Sequence, residues 1–260
     1  MVCNCALMSF RSPLDPTQVL DLAERQLADY RRGSPGTVFA AGALLSVEDA
    51  YAVQRVVARL RVADGETLAG YKVGFTGADV ASQLGAPGPV SGHLWRDELR
   101  PSGAWVAASR FTNLAVEAEV GAVLDDAGAV ARVFPVIELH DFVLRGSPPT
   151  LAEVIANNAV HAGVVLPRDV SPAPSALPAD AWLELEVDGV VVDGGAPFAM
   201  SGGVEASLSW LRAHLSAMGA HLPPRSLVLL GTPLQIVAVG PGAQLRARCA
   251  GMETRASVTA

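Results

Sequence analysis

Three glutamates of this chain stand where glutamate is costly. Glu117 and Glu119 interrupt the apolar run Leu114–Leu124, and Glu138 interrupts a second run, Arg132–His140. Both runs read as β-strands, apolar and partly β-branched, the first closed by Asp125-Asp126-Ala127-Gly128. Side chains alternate along a strand, so Glu117 and Glu119 point to one face roughly 7 Å apart. Two carboxylates on one face of an apolar strand repel each other and resist desolvation. A hard divalent cation offsets both costs. Three carboxylates together suit Mg2+ or Mn2+, with the other octahedral positions left for water or a chelating substrate. On spacing alone, a solvated strand face is the simpler account of Glu-x-Glu.

Lys72 sits inside another apolar run, Leu68-Ala69-Gly70-Tyr71-Lys72-Val73-Gly74-Phe75-Thr76. A buried ammonium needs a carboxylate partner, or acts on a substrate as a cation or proton carrier. A lysine on the wet face of its strand is the alternative. The glycines around it allow backbone to approach a ligand closely. His140, two residues after Glu138, shares its face if the strand continues, as a ligand, an acid–base group or a structural histidine. His161 follows Asn157-Asn158-Ala159-Val160 and borders the same region of sequence. Ser201-Gly202-Gly203 lacks the Gly-x-Ser-x-Gly pattern of a nucleophile elbow, and no phosphate-binding glycine loop is present.

The elements that must position these groups follow from periodicity. Residues 14 to 33 read as a helix with Leu20, Leu22, Ala23 and Leu27 near helical spacing, stopping at Arg31-Arg32-Gly33. A loop runs from Gly33 to Ala41. Ser46-Val47-Glu48-Asp49 opens a second capped helix. From about Leu68 short Val-rich runs alternate with Gly, Pro and Asp: Trp182–Val187, Val190–Val192, Leu227–Leu230, Gln235–Val239 and Gln244–Cys249. Asp188-Gly189 is a hairpin turn. Helices recur near Thr150–Asn158 and Gly203–Gly219. Strands outnumber helices without regular alternation, which predicts an α+β or mixed-barrel fold. The chain divides into a flexible N-terminus (1–13), a helical region (14–66) and a β-rich catalytic region (67–260), together one structural unit.

Half of the 260 residues are hydrophobic and 17% are charged, which excludes disorder for most of the length. Nineteen basic against 26 acidic side chains give a net charge of −7, which argues against nucleic-acid binding. Cys3, Cys5 and Cys249 make no disulfide framework and fit a reducing cytoplasm. No run is long and apolar enough for a membrane helix, and residues 1 to 10 lack the basic start of a signal peptide.

Over roughly residues 14 to 260 the chain resembles the 2-keto-4-pentenoate hydratase group of the fumarylacetoacetate hydrolase superfamily. The resemblance rests on Ala50-Tyr51-Ala52-Val53-Gln54, Gly70-Tyr71-Lys72-Val73-Gly74-Phe75-Thr76, Val116-Glu117-Ala118-Glu119, Val136-Ile137-Glu138, Asn157-Asn158-Ala159 and the segment from Leu230-Gly231 to Ala260. It implies a mixed β-rich roll or barrel with helices packed outside, and a homo-oligomer. It implies Mg2+ or Mn2+ at Glu117, Glu119 and Glu138 and a catalytic lysine at Lys72; beside these, His140 is expected as a further catalytic residue and Phe75, His93, Leu94 and Asn158 as substrate contacts. The implied substrates are 2-oxo or 2-hydroxydienoic acids from aromatic catabolism, hydrated or decarboxylated by an enzyme that stabilises the enolate. Two departures bear on this. Pro89-Val90-Ser91-Gly92-His93-Leu94 has Val90 where hydratases of the group carry an aspartate and the related 4-oxalocrotonate decarboxylases an aliphatic residue. Asp141-Phe142-Val143 and Asn157-Asn158-Ala159-Val160 stand where relatives show Asp-Ser-Arg and Asp-Asn-Ala-Ser. These changes tilt the expectation toward decarboxylation, or toward altered chemistry on a bulkier, less polar substrate in a specialised biosynthetic pathway. The competing expectations are a carbon–carbon bond hydrolase using His93 or His140 as base, and a ligand-binding relative without chemistry.

Overall fold

The computed structural model describes residues 13–33, 44–77, 85–141, 149–168 and 174–260. Residues 1–12 with Cys3 and Cys5, the loop from 34 to 41, and Phe142-Val143 lie outside the described residues. Helix α1 (Pro16–Arg32) begins at Asp15, whose carboxylate accepts from the Thr17 and Gln18 N–H groups while Gln18 accepts from the Asp15 N–H. Gly33 ends it at φ 61, a conformation glycine adopts without Cβ strain. Helix α2 (Val47–Ala63) starts at Ser46 in a reciprocal box with Asp49.

The strands are β1 (Leu68–Gly74), β2 (Val90–Trp95), β3 (Leu99–Pro101), β4 (Ala104–Ala107), β5 (Leu114–Leu124), β6 (Val130–Asp141), β7 (His161–Leu166), β8 (Leu183–Val187), β9 (Val190–Gly195), β10 (Leu227–Leu229), β11 (Val237–Ala238), β12 (Gln244–Cys249) and β13 (Met252–Thr259). The short helix α3 (Leu151–Ala156) precedes β7, and α4 (Gly203–Ala217) follows β9. One eight-stranded mixed sheet runs β2-β1-β10-β5-β6-β7-β3, with β11 also on β5; a second runs β4-β13-β12-β8-β9. This is the α+β, β-rich arrangement expected. The Asp188-Gly189 turn carries positive φ at both residues (52 and 81), as a two-residue hairpin of this twist requires. The Gln235–Val239 run narrows to the two residues of β11. Among the described residues no helix is long and apolar enough to cross a membrane.

The ladder registers decide which side chains share a face. Glu117 lies opposite Glu138, and Glu119 opposite Val136. Leu229 of β10 pairs with Gly121 on one side and Lys72 on the other. With a period of two, Lys72, Leu229, Glu119, Glu117 and Glu138 therefore face one way. The opposite face, with Val116, Ala118, Val120, Ile137 and Val228, packs against the second sheet and against Leu208, Leu211 and Leu215 of α4. On the carboxylate face Leu94, Phe134, Val136, Val164, Leu227 and Leu229 form an apolar floor. Helices α1, α2 and α3 enclose a separate cluster that includes Val90.

Candidate metal and catalytic site

Glu138 is the centre of the site and has no solvent exposure. Its Oε1 lies 2.8 Å from Lys72 Nζ and 2.7 Å from His161 Nδ1. Its Oε2 lies 3.7 Å from His140 Nε2 and, among the described residues, has no hydrogen-bond partner. Glu117 Oε2 lies 3.3 Å from the same His140 nitrogen. Lys72 Nζ also donates to the Ala159 carbonyl at 3.3 Å. Glu119 accepts from the Gly231 N–H. Glu117, 14% exposed at its side chain, is the carboxylate that solvent reaches.

Charge in this cluster is unevenly held. Burial works against the Lys72 ammonium, but Glu138, Glu119 and Glu117 outweigh it and leave its pKa raised. Burial likewise opposes ionisation of Glu138, yet Lys72 and the neighbouring histidines hold its carboxyl well below the usual range. Glu119 is pushed well above that range by burial and by the Glu138 charge, and Glu117 is pushed up by burial. One ammonium does not stabilise three ionised carboxylates here. Donor atoms of Glu117, Glu138 and His140 all lie within 4.8 Å of one another. A buried carboxylate oxygen without a partner, aligned with two further donors, fits a divalent cation.

The structure thus brings Lys72, Glu117, Glu119, Glu138 and His140 together. The residues assigned to substrate contact fare differently. Leu94 is buried in the apolar floor beneath the carboxylates. Asn158 spends its amide on β2, accepting from the His93 N–H at 2.7 Å and donating to the His93 carbonyl at 2.9 Å. Phe75 packs into the helical cluster. His93 pairs in register with Tyr71, one position off Lys72, so its ring turns to the other face beside Tyr71 and Trp95. Strand alternation keeps its ring out of the carboxylate cluster.

Sequence reasoning placed His161 only at the border, and missed what lies behind it. Glu98, in a 3-10 turn after β2, accepts from Arg61 Nη2 at 2.6 Å and from the Tyr30 hydroxyl at 2.8 Å, and its Oε2 lies 3.9 Å from His161 Nε2. Arg61 also stacks over Trp95, 4.2 Å from the ring centroid. The available signal was a pair of polar residues, Gln54 and Arg61, seven apart on the buried face of α2.

No protein-family model matches the chain. A 2-keto-4-pentenoate hydratase of Paraburkholderia phymatum is 31% identical over 216 residues, spanning 78% of this chain and 82% of the relative. A 4-oxalocrotonate decarboxylase of Pseudomonas putida is 26% identical over 220 residues, 80% of this chain and 83% of that one. In fold, the chain is similar to the solved 4-oxalocrotonate decarboxylase from Pseudomonas putida G7 complexed with magnesium and adipate. That likeness has a TM-score of 0.86 at 24% identity, over 95% of this chain and 100% of the other.

Proposed function

The chain belongs to the 2-keto-4-pentenoate hydratase and 2-oxo-acid decarboxylase group of the fumarylacetoacetate hydrolase superfamily, and on that premise we propose that it is a divalent-metal-dependent lyase of an enolisable 2-oxo or 2-hydroxydienoic acid. The observation that carries this reading is the buried Glu138, shared between Lys72 on one oxygen and the Glu117–His140 side on the other. Glu117 and Glu138 would hold the ion, Mg2+ or Mn2+, with Glu119 alongside. When bound, such an ion supplies positive charge that stabilises an enolate developing on a chelated 2-oxo acid.

The chain's own groups supply the rest. The partly exposed Glu117 marks the side from which substrate arrives. The floor of Leu94, Phe134, Val136 and Leu229 keeps water from beneath the reacting carbons. Lys72, held by Glu138 and the Ala159 carbonyl, keeps a proton in the interior and can deliver it to the carbon that gains electrons.

Decarboxylation is the favoured outcome. Val90 pairs with Gly74, on the Lys72 side of β1, and is 2% exposed. An aliphatic side chain there gives no acid–base group to direct water onto a conjugated double bond. A 2-oxo-3-enedioate and a 2-hydroxydienoate, each incubated with the Mn2+-loaded and Mg2+-loaded protein, test this. Release of CO2 from the first supports it; a 4-hydroxy-2-oxo acid from the second supports hydration instead, and two cleaved acids would mean hydrolysis.

A homo-oligomer also belongs to this reading. Val190, Val191 and Val192 are 63, 46 and 44% exposed on β9, the edge of the second sheet, and Trp105 on the opposite edge strand is 77% exposed. Apolar edges of this kind call for a cover, and light scattering gives the stoichiometry.

A further inference from the structure

We propose that His161 is a positioning residue: its Nδ1–H, together with the Lys72 ammonium, takes up one oxygen of Glu138 and leaves the other turned to the ion. This rests on the reading of Glu117, Glu119 and Glu138 as the carboxylates of the metal site.

The distances divide the carboxylate. Glu138 Oε1 lies 2.7 Å from His161 Nδ1 and 2.8 Å from Lys72 Nζ, whereas Oε2 has no hydrogen-bond partner among the described residues. An ionised carboxylate only accepts, so Nδ1 is an imidazole nitrogen that carries a proton. The ammonium alone sits on a flexible four-carbon stem. A second donor from a ring with 0% side-chain exposure fixes the carboxyl plane. Ligating carboxylates take their orientation from partners of this kind.

Backbone geometry brings the ring to this face. Val164 pairs with Glu138, so strict alternation would give the carboxylate face to Ala162. The β6–β7 pairing slips between Leu139 and His140, and His161 takes that face instead. Such irregularities re-aim side chains next to sites.

One short segment thereby grips both members of the Lys72–Glu138 pair. The turn Asn158-Ala159-Val160, with φ of 56, 51 and 56, presents the Ala159 carbonyl to Lys72 and leads straight into His161. Three left-handed residues persist only where their surroundings hold them. Here Asn158 is bonded twice to the His93 backbone, and Asn157 accepts from Gln26 of α1 and donates to the Glu153 carbonyl. Behind the ring, Glu98 Oε2 lies 3.9 Å from His161 Nε2, and Glu98 is tied to Arg61 of α2 and Tyr30 of α1. The helical layer thus acts on the reaction centre through His161.

The test is calorimetric titration of Mn2+ into the full chain as wild type, His161→Phe and His161→Asn. Phenylalanine keeps a ring and removes the donor; the asparagine amide reaches the place of Nδ1 and restores it. His161→Phe is expected to bind Mn2+ roughly 10–100-fold more weakly, and His161→Asn to return to within about threefold of the wild type. Circular dichroism shows whether His161→Phe folds. If it does not, nitrogen-15 spectra of the metal-free wild type with labelled histidine decide. A proton on His161 Nδ1, its signal missing from His161→Asn, supports the assignment, and a proton on Nε2 alone overturns it. A folded His161→Phe with wild-type Mn2+ affinity also overturns it, as does a folded His161→Asn that loses as much affinity as His161→Phe. Those results leave the carboxylate site standing; failure of the wild type to bind Mn2+ overturns both readings.

Discussion

Lys72 and Glu138 form an ion pair 2.8 Å long, with their side chains 4 and 0% exposed. Removing one partner of a buried pair leaves the other charge stranded. Lys72→Met is expected to cost on the order of 3–5 kcal/mol of stability in the metal-free protein. A bound dication would relieve the stranded Glu138, so saturating Mn2+ narrows the melting-temperature gap between variant and wild type. Turnover stays low, by roughly 100-fold or more, because the proton carrier is gone. Thermal melts with and without Mn2+, beside a turnover assay, check both halves. A variant that regains activity with Mn2+ would remove Lys72 from the chemistry.

Glu117 and Glu138 are direct register partners, so neither replaces the other from a different height on the sheet. Glu117→Gln keeps the shape and removes the charge. It is expected to weaken Mn2+ binding by roughly 100-fold while changing stability little, since this side chain is partly solvated. Glu138→Gln should weaken binding at least as much and also lower the melting temperature, because it strands Lys72. Calorimetry on both variants reads the difference; unchanged affinity in Glu117→Gln means that the ion lies elsewhere.

The strands that carry this site were legible because their pattern is one-dimensional. Leu114–Leu124 matches β5 residue for residue, and period two alone put Glu117 and Glu119 on a common face. The start of the second helix was legible from its Ser46 cap, whereas the first begins at Asp15-Pro16, a cap and first-position proline that the reading of residues 14 to 33 did not single out. The pairing of Glu117 with Glu138 was not legible, because register between strands depends on long-range packing. Strands β7 and β13 escaped for opposite reasons. His161–Leu166 follows a turn whose three residues Asn158, Ala159 and Val160 all have φ near 55, which no propensity predicts. Met252–Thr259 alternates polar and apolar residues but is broken by charge, and only pairing to β12 and β4 fixes it. Of the Tyr30–Glu98–Arg61 network only the Gln54–Arg61 spacing on α2 left a trace, because each member looks like an ordinary surface residue until the fold buries it.

His93 gives a pH prediction separate from the metal site. Burial, with Arg61 and Arg55 adding to it and Asn158 opposing, lowers its pKa to about 4 from 6.5. The folded state thus keeps it neutral where the unfolded chain protonates it. Its contribution is intact above pH 6.5 and is lost as pH falls toward 4, because the unfolded state then binds the extra proton. By pH 5 this linkage costs about 2 kcal/mol. His93→Gln removes the linkage while leaving every other titrating group in place. Urea unfolding at pH 7.5 and pH 5 should therefore show a smaller drop for the variant than for the wild type. Equal drops would show that His93 titrates alike in both states.

Gly92 lies opposite Lys72 on the β1–β2 ladder, beneath the turn that offers its Ala159 carbonyl to the ammonium. A Cβ at Gly92 would stand 2.8 Å from the Asn158 carbonyl oxygen and 3.1 Å from Lys72 Cγ. The first contact is with backbone, and the Asn158 amide already ties that backbone to His93 on both sides. The turn has little room to yield, since three successive residues are left-handed at a cost of roughly 1–2 kcal/mol each. Gly92→Ala is therefore expected to displace Lys72 together with the turn. Overpacking of this kind costs about 1–3 kcal/mol of stability. A misplacement near 1 Å lowers kcat by up to roughly 100-fold. Glu117 and Glu138 lie on β5 and β6, away from the added methyl, so Mn2+ binding is retained. Steady-state kinetics alongside calorimetry separates the two effects. Loss of metal binding in step with kcat would mean that the Lys72 turn and the donor cluster move as one body.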